Sequence, residues 1–128
     1  MITSTDIGNA LYRDIKPFGM QACQGMNMPK GEVKAERIVI HTKALQSETI
    51  CLKSFAEVNL VVPDINGHAN LIRLNELERE AVGFFDYTGE YDGTTYDVEI
   101  HSTGIIKDTD TRSHYVNVRL LIRVLNVK

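Results

Sequence analysis

From Ala56 to Val62 the chain alternates with period two. Ala56, Val58, Leu60 and Val62 fall on one side, and Glu57 and Asn59 on the other. That period predicts a strand with one packed face and one face that is wet or meets a partner. Pro63-Asp64 closes the run, because proline has no N–H to give to a ladder and holds the residue before it extended. Upstream, Glu36–Thr42 is rich in β-branched residues and predicts another strand. A polar break at Gln46-Ser47-Glu48 separates it from Thr49–Leu52, which runs on into the Phe55–Val62 strand. Downstream, Tyr96, Val98 and Ile100 alternate with Asp97, Glu99 and His101. A polar turn at Lys107–Thr111 then leads to a long strand, with Val116, Val118, Leu120, Ile122 and Val124 on one face. Tyr115, Asn117, Arg119 and Arg123 occupy the other face.

Two segments change period. Ile7, Leu11 and Ile15 recur every four residues behind Thr3-Ser4-Thr5-Asp6, where a hydroxyl precedes a carboxylate at capping distance. They predict a helix over 4–16, ended by Pro17 and Gly19. Leu74, Leu77, Ala81 and Phe84 predict a second helix over 69–85, following the turn signal Asn66-Gly67. Residues 17–35 hold two of the three prolines and three of the four methionines and read as a long irregular loop. Residues 86–94 read as a Gly/Asp/Tyr-rich turn region. The predicted order is α-β-β-α-β-β. One apolar stripe per helix and one apolar face per strand give an α+β fold: a two-layer sandwich of one mainly antiparallel sheet with both helices on a single face. The opposite face, carrying Glu57, Asn59, Asn117, Arg119 and Arg123, should be polar.

A length of 128 residues sets a single domain over 1–128, large enough for one core without staples. A net charge of −3 supplies no basic excess, so nucleic acid is not expected as the main partner. No apolar run is long enough to span a bilayer, and no basic-then-apolar segment opens the chain, so a cytosolic protein without membrane attachment is expected. Cys23 and Cys51 are too few for a disulfide framework and read as reduced thiols, Cys51 among apolar neighbours and Cys23 in a polar loop.

Candidate chemistry is sparse. His41, His68, His101 and His114 match no zinc spacing. Of these, His41 and His101 lie on predicted strands and could meet across a sheet. Asp86, Glu90, Asp92 and Asp97 lack the spacing of a calcium loop. There is no G-x-G-x-x-G, P-loop or nucleophile elbow. A Cys–His pair through Cys23 has no local signature. No catalytic residue, cofactor or metal is therefore expected. The tyrosines at 87, 91 and 96 suit either an interface or the mouth of the core.

The string Glu36-x-Ile38-Val39-Ile40, then Val58-Asn59-Leu60-Val61-Val62-Pro63-Asp64, a helix, and His114-Tyr115-x-Asn117-Val118-Arg119 resembles bacteriophage and prophage tail-terminator (tail-completion, head–tail joining) proteins. The likeness spans about residues 36–125 plus the leading helix. It implies a structural, non-catalytic subunit that forms a ring, typically a hexamer, capping the tail tube and joining it to the head connector. It also implies host cytoplasm during assembly and the virion afterwards. A closed ring needs head-to-tail contacts, and the loops 17–35 and 43–49 are natural parts to reach a neighbour. The candidate interface residues are Glu57, Asn59, Tyr115, Asn117, Arg119 and Arg123. The competing reading is a small α+β ligand-binding domain or hydrolase, built on the Tyr87–Tyr96 region and Cys23.

Overall fold

The computed structural model describes residues 2–47 and 52–125. Cys51, read as a reduced thiol among apolar neighbours, lies outside them. Helix α1 (Ser4–Asp14) opens as its sequence prescribes: Thr3 Oγ1 accepts from the Asp6 amide, and the Asp6 carboxylate accepts from the Thr3 amide at 2.9 Å. A single 3₁₀ turn, Lys16–Phe18, follows, and Gly19 at φ +67° leaves it in the left-handed region that glycine enters without penalty.

The strands are β1 (Gln21–Gln24), β2 (Arg37–Thr42), β3 (Gln46–Ser47), β4 (Leu52–Pro63), β5 (Asp86–Tyr91), β6 (Thr94–Asp108) and β7 (Ser113–Val124). Helix α2 (Leu71–Phe84) joins β4 to β5, with Asn70 Oδ1 capping its first turn. The sheet runs β1-β2-β4-β7-β6-β5, and β3 pairs on β4. Every pairing is antiparallel except β1 with β2. The proline at the end of β4 stops that strand as expected, and Asn66-Gly67, both at positive φ, turn the chain toward α2.

Three expectations fail. The polar break at Gln46-Ser47 is itself the short strand β3, paired on the start of β4. Residues 17–35 are not wholly irregular, since Gln21–Gln24 form β1. Nor is 86–94 a turn region: Asp86–Tyr91 is β5, joined to β6 by a two-residue turn in which Asp92 and Gly93 both take positive φ. The observed order is α-β-β-β-β-α-β-β-β.

The fold is α+β with one core on one face of the sheet, as expected, but the sheet is not flat. Ile7, Ala10, Leu11 and Ile15 from the first helix and Leu74, Leu77 and Ala81 from the second share a cluster with the inward residues of β2, β4, β6 and β7. Helix α1 packs on β1 and β2 and also touches β5. Flat, β2 and β5 would stand roughly 19 Å apart at the usual strand spacing, whereas a helix is about 10–12 Å across. The sheet therefore curls into a half-barrel, bringing both ends onto α1. Burying both helices in this curve hides their stripes more completely than a flat sheet would.

A bulge between Ile100 and Ser102 shifts the register of β6 on β7. Before it, Tyr96, Val98 and Ile100 point inward; after it, Thr103 and Ile105 do, opposite Val118 and Val116.

Candidate interaction surface

Five of the six candidate interface residues form one polar ladder on the outer face of β4 and β7. Glu57 is paired with Arg119, Asn59 with Asn117, and Arg123 with Lys53. Asn117 Nδ2 donates to Asn59 Oδ1 at 2.8 Å and to Glu57 Oε1 at 3.1 Å. Lys43 Nζ lies 3.6 Å from Glu57, and Arg123 reaches Glu99 on β6 at 2.7 Å. Partial burial works to raise the Glu57 pKa, but the Asn117 hydrogen bond and the charges of Lys43 and Arg119 outweigh it, leaving the carboxyl below its ordinary value.

Tyr115 behaves differently. It is paired with Val61 and packs against a second small apolar cluster of Val33, Val39, Val61 and Cys23. Val33 is held there by its amide, which donates to Thr111 O at 2.9 Å. The methionine-rich stretch thus roofs one end of the outer face and half-buries Tyr115. That burial, with the nearby charges of Asp108 and Glu57, raises the tyrosine pKa.

At the other end lies a residue that sequence reasoning passed over. Phe55 stands on the outer face with Lys53 5.8 Å and Arg119 5.9 Å from its ring centroid, and the His101 ring meets its edge at 5.4 Å. An aromatic ring flanked by cations is a platform for an acidic or carboxylate-bearing surface. The signal was available, since Phe55 shares a face with Glu57 by period two.

The elements of the competing reading do not meet. Tyr87 and Tyr96 point inward, and both hydroxyls donate to the carboxylate of Asp14, with Arg13 beside them. Burial and the Asp14 charge hold both phenols far above their ordinary pKa, which keeps them protonated. Tyr91 lies under the Arg13 guanidinium. Cys23 is on the opposite face of the sheet, paired with Val39, and burial raises its thiol pKa in spite of Arg37 nearby. One pocket cannot hold both.

The histidines also separate. His41 sits on β2 against Gly25 and His101 on β6, with two strands between them. His114 Nδ1 lies 2.7 Å from Asp64 Oδ1, tying the end of β4 to the start of β7. Asp97 accepts from Thr88 across the β5–β6 hairpin. Among the described residues, no three His, Cys, Asp or Glu side chains gather as a ligand set, and no helix is long and apolar enough to cross a membrane.

No protein-family model matches the chain, and no curated protein matches its sequence. A solved structure that carries no functional name aligns with 100% of this chain and 99% of its own, at a TM-score of 0.68 and 12% identity. At that identity the likeness shows the fold alone.

Proposed function

We propose that this chain is a structural subunit of a phage or prophage virion. It would complete the tail tube and join it to the head connector through protein–protein contacts, as a ring, typically of six copies, without catalysis. The observation that carries the reading is the outer face of β4 and β7. Asn59, Asn117, Glu57 and Arg119 lie there on adjacent rungs, with Phe55 on the next and Arg123 beyond it, a surface of both charge signs built around the Phe55 platform. Such a surface suits docking to a protein of complementary charge better than it suits enclosing a small molecule. The string that resembles tail-terminator proteins occupies β2, β4 and β7, three adjacent central strands. The resemblance and the docking face therefore fall on the same part of the sheet.

The test is to assemble tubes from a phage tail-tube protein, add the purified chain, and image the mixture by negative stain. The expected result is a ring-shaped density at one tube end, lost with Arg119→Glu. Tubes that remain bare, with a chain that sediments as a monomer at high concentration, would overturn the proposal.

A further inference from the structure

One end of the sheet is β1, which pairs only with β2. The other end is shared by β5, which pairs only with β6, and by the far half of β6 itself. Strand β5 covers β6 only from Thr94 to Glu99, so Ser102–Asp108 has β7 on one side and nothing on the other. Among the described residues, no strand or loop backbone hydrogen-bonds to the backbone on that outer side of Ser102–Asp108. The exposed stretch carries two adjacent isoleucines where a lone edge is ordinarily guarded by charge. Ile105 and Ile106 are 40% and 42% exposed, no proline interrupts it, and its only lysine, Lys107, is near the far end. Helix α2 borders it, since Thr103 Oγ1 donates to Glu78 at 2.7 Å. Seven residues before Glu78, on the same helix face, Leu71 is 62% exposed.

We infer that the open edge of β6 receives β1 of a second copy of this chain, so that the sheets of neighbouring subunits join edge to edge. The polarity of the strands selects this occupant. Strand β1 is parallel to β2, and three successive antiparallel pairings then lead from β2 through β4 and β7 to β6. Strand β6 therefore runs opposite to β1. Rotation about a ring axis preserves each strand's sense along that axis, so a neighbour's β1 meets β6 antiparallel, the more favourable ladder. The two edges differ, so the contact is head-to-tail and propagates until it closes. The four residues of β1 fit within the seven of Ser102–Asp108. Facing also agrees: Cys23 points to the outer face, as do Ser102, Gly104 and Ile106. The inference rests on the ring reading proposed above and names the surfaces that build it.

The native Cys23 provides the test. In a Cys51→Ser background, cysteine is placed singly at Ser102, Gly104 or Ile106, all on open ground. The full chain is oxidised with copper-phenanthroline, alone at high concentration and with the assembled tubes. The expected result at one of the three positions is a non-reducing ladder from covalent dimers to higher multiples, abolished by Cys23→Ser. Ile106→Lys should weaken association of the otherwise native chain at least tenfold by sedimentation. A parent chain that forms rings but cross-links at none of the positions overturns the inference while leaving the tail role standing. Dimers alone, persisting in Cys23→Ser, would mean that two β6 edges pair about a two-fold axis, which also overturns it. A chain that neither associates nor caps tubes removes both proposals together.

Discussion

The Tyr87 hydroxyl donates a 2.7 Å hydrogen bond to the carboxylate of Asp14, linking the last residue of α1 to β5 at the far edge of the sheet. Tyr96 on β6 donates to the same oxygen. These bonds hold the curl of the sheet closed on α1, beside the stacked rings of Phe18 and Phe85 and the Phe84 ring that meets both edge-on.

Asp14→Ala leaves two part-buried phenols without their acceptor. Unsatisfied buried donors cost about 1–3 kcal/mol each. The variant should lose roughly 2–4 kcal/mol in urea unfolding, allowing for repair by water. Tyr87→Phe, which removes one donor and strands none, should lose only about 1 kcal/mol.

Alkaline pH should act through the same cluster. Both phenols have folded pKa values raised above the unfolded value of about 10. Above that pH the unfolded chain releases protons that the folded chain keeps, so stability falls as pH rises. The contribution is fully present below about pH 10 and is lost above it. Tyr87→Phe should make the decline between about pH 10 and 12 shallower, read as unfolding free energy against pH.

Gly89 lies beneath the Tyr96 ring, where an added Cβ would come 2.6 Å from Tyr96 Oη. Because Asp14 fixes that ring, Gly89→Ala should push it off its acceptor and cost about 1–3 kcal/mol. The loss should be less than additive with Asp14→Ala, since both remove the same contact. A double-mutant cycle in urea measures the coupling.

Arg73 holds Glu36 through two hydrogen bonds, Nε to Oε2 at 2.8 Å and Nη2 to Oε1 at 2.9 Å, joining the start of α2 to the residue before β2. The pair is about one-third exposed on each side, so solvent screens much of its strength. Glu36→Gln should cost about 0.5–1 kcal/mol, shrinking as salt is raised.

Phe55→Ala and Arg119→Glu both alter the outer face without touching the core. Each should leave the thermal midpoint within a few degrees of the parent, yet weaken capping of tail tubes at least tenfold, read by counting capped tube ends. Equal capping by both variants would place the docking surface elsewhere.

Much of the architecture was legible because it is periodic. Thr3 and Asp6 announce the capping box, Pro63 the end of β4, and the alternation along β4 and β7 the two faces of the sheet, including the ladder of Glu57, Asn59, Asn117, Arg119 and Arg123. These features depend on near neighbours and on one face being apolar, which a linear sequence records directly. Strand β5 left one local trace that went unread, Asp92-Gly93 between Tyr91 and Thr94, the signature of a two-residue hairpin turn. Strand β1, Gln-Ala-Cys-Gln, left none: it is extended because β2 offers it a ladder, not because its side chains prefer one. The bulge after Ile100 reverses which residues face inward, so the two adjacent isoleucines at 105 and 106 could not be assigned from alternation. The closure of the sheet on α1 is likewise tertiary. It depends on Asp14 meeting Tyr87 and Tyr96, 73 and 82 residues away in the chain, and only the packed core brings them together. Sequence by itself determined the helices, the central strands and the polarity of their faces; the tertiary structure alone decided the curl, the edges and which of those faces remain open.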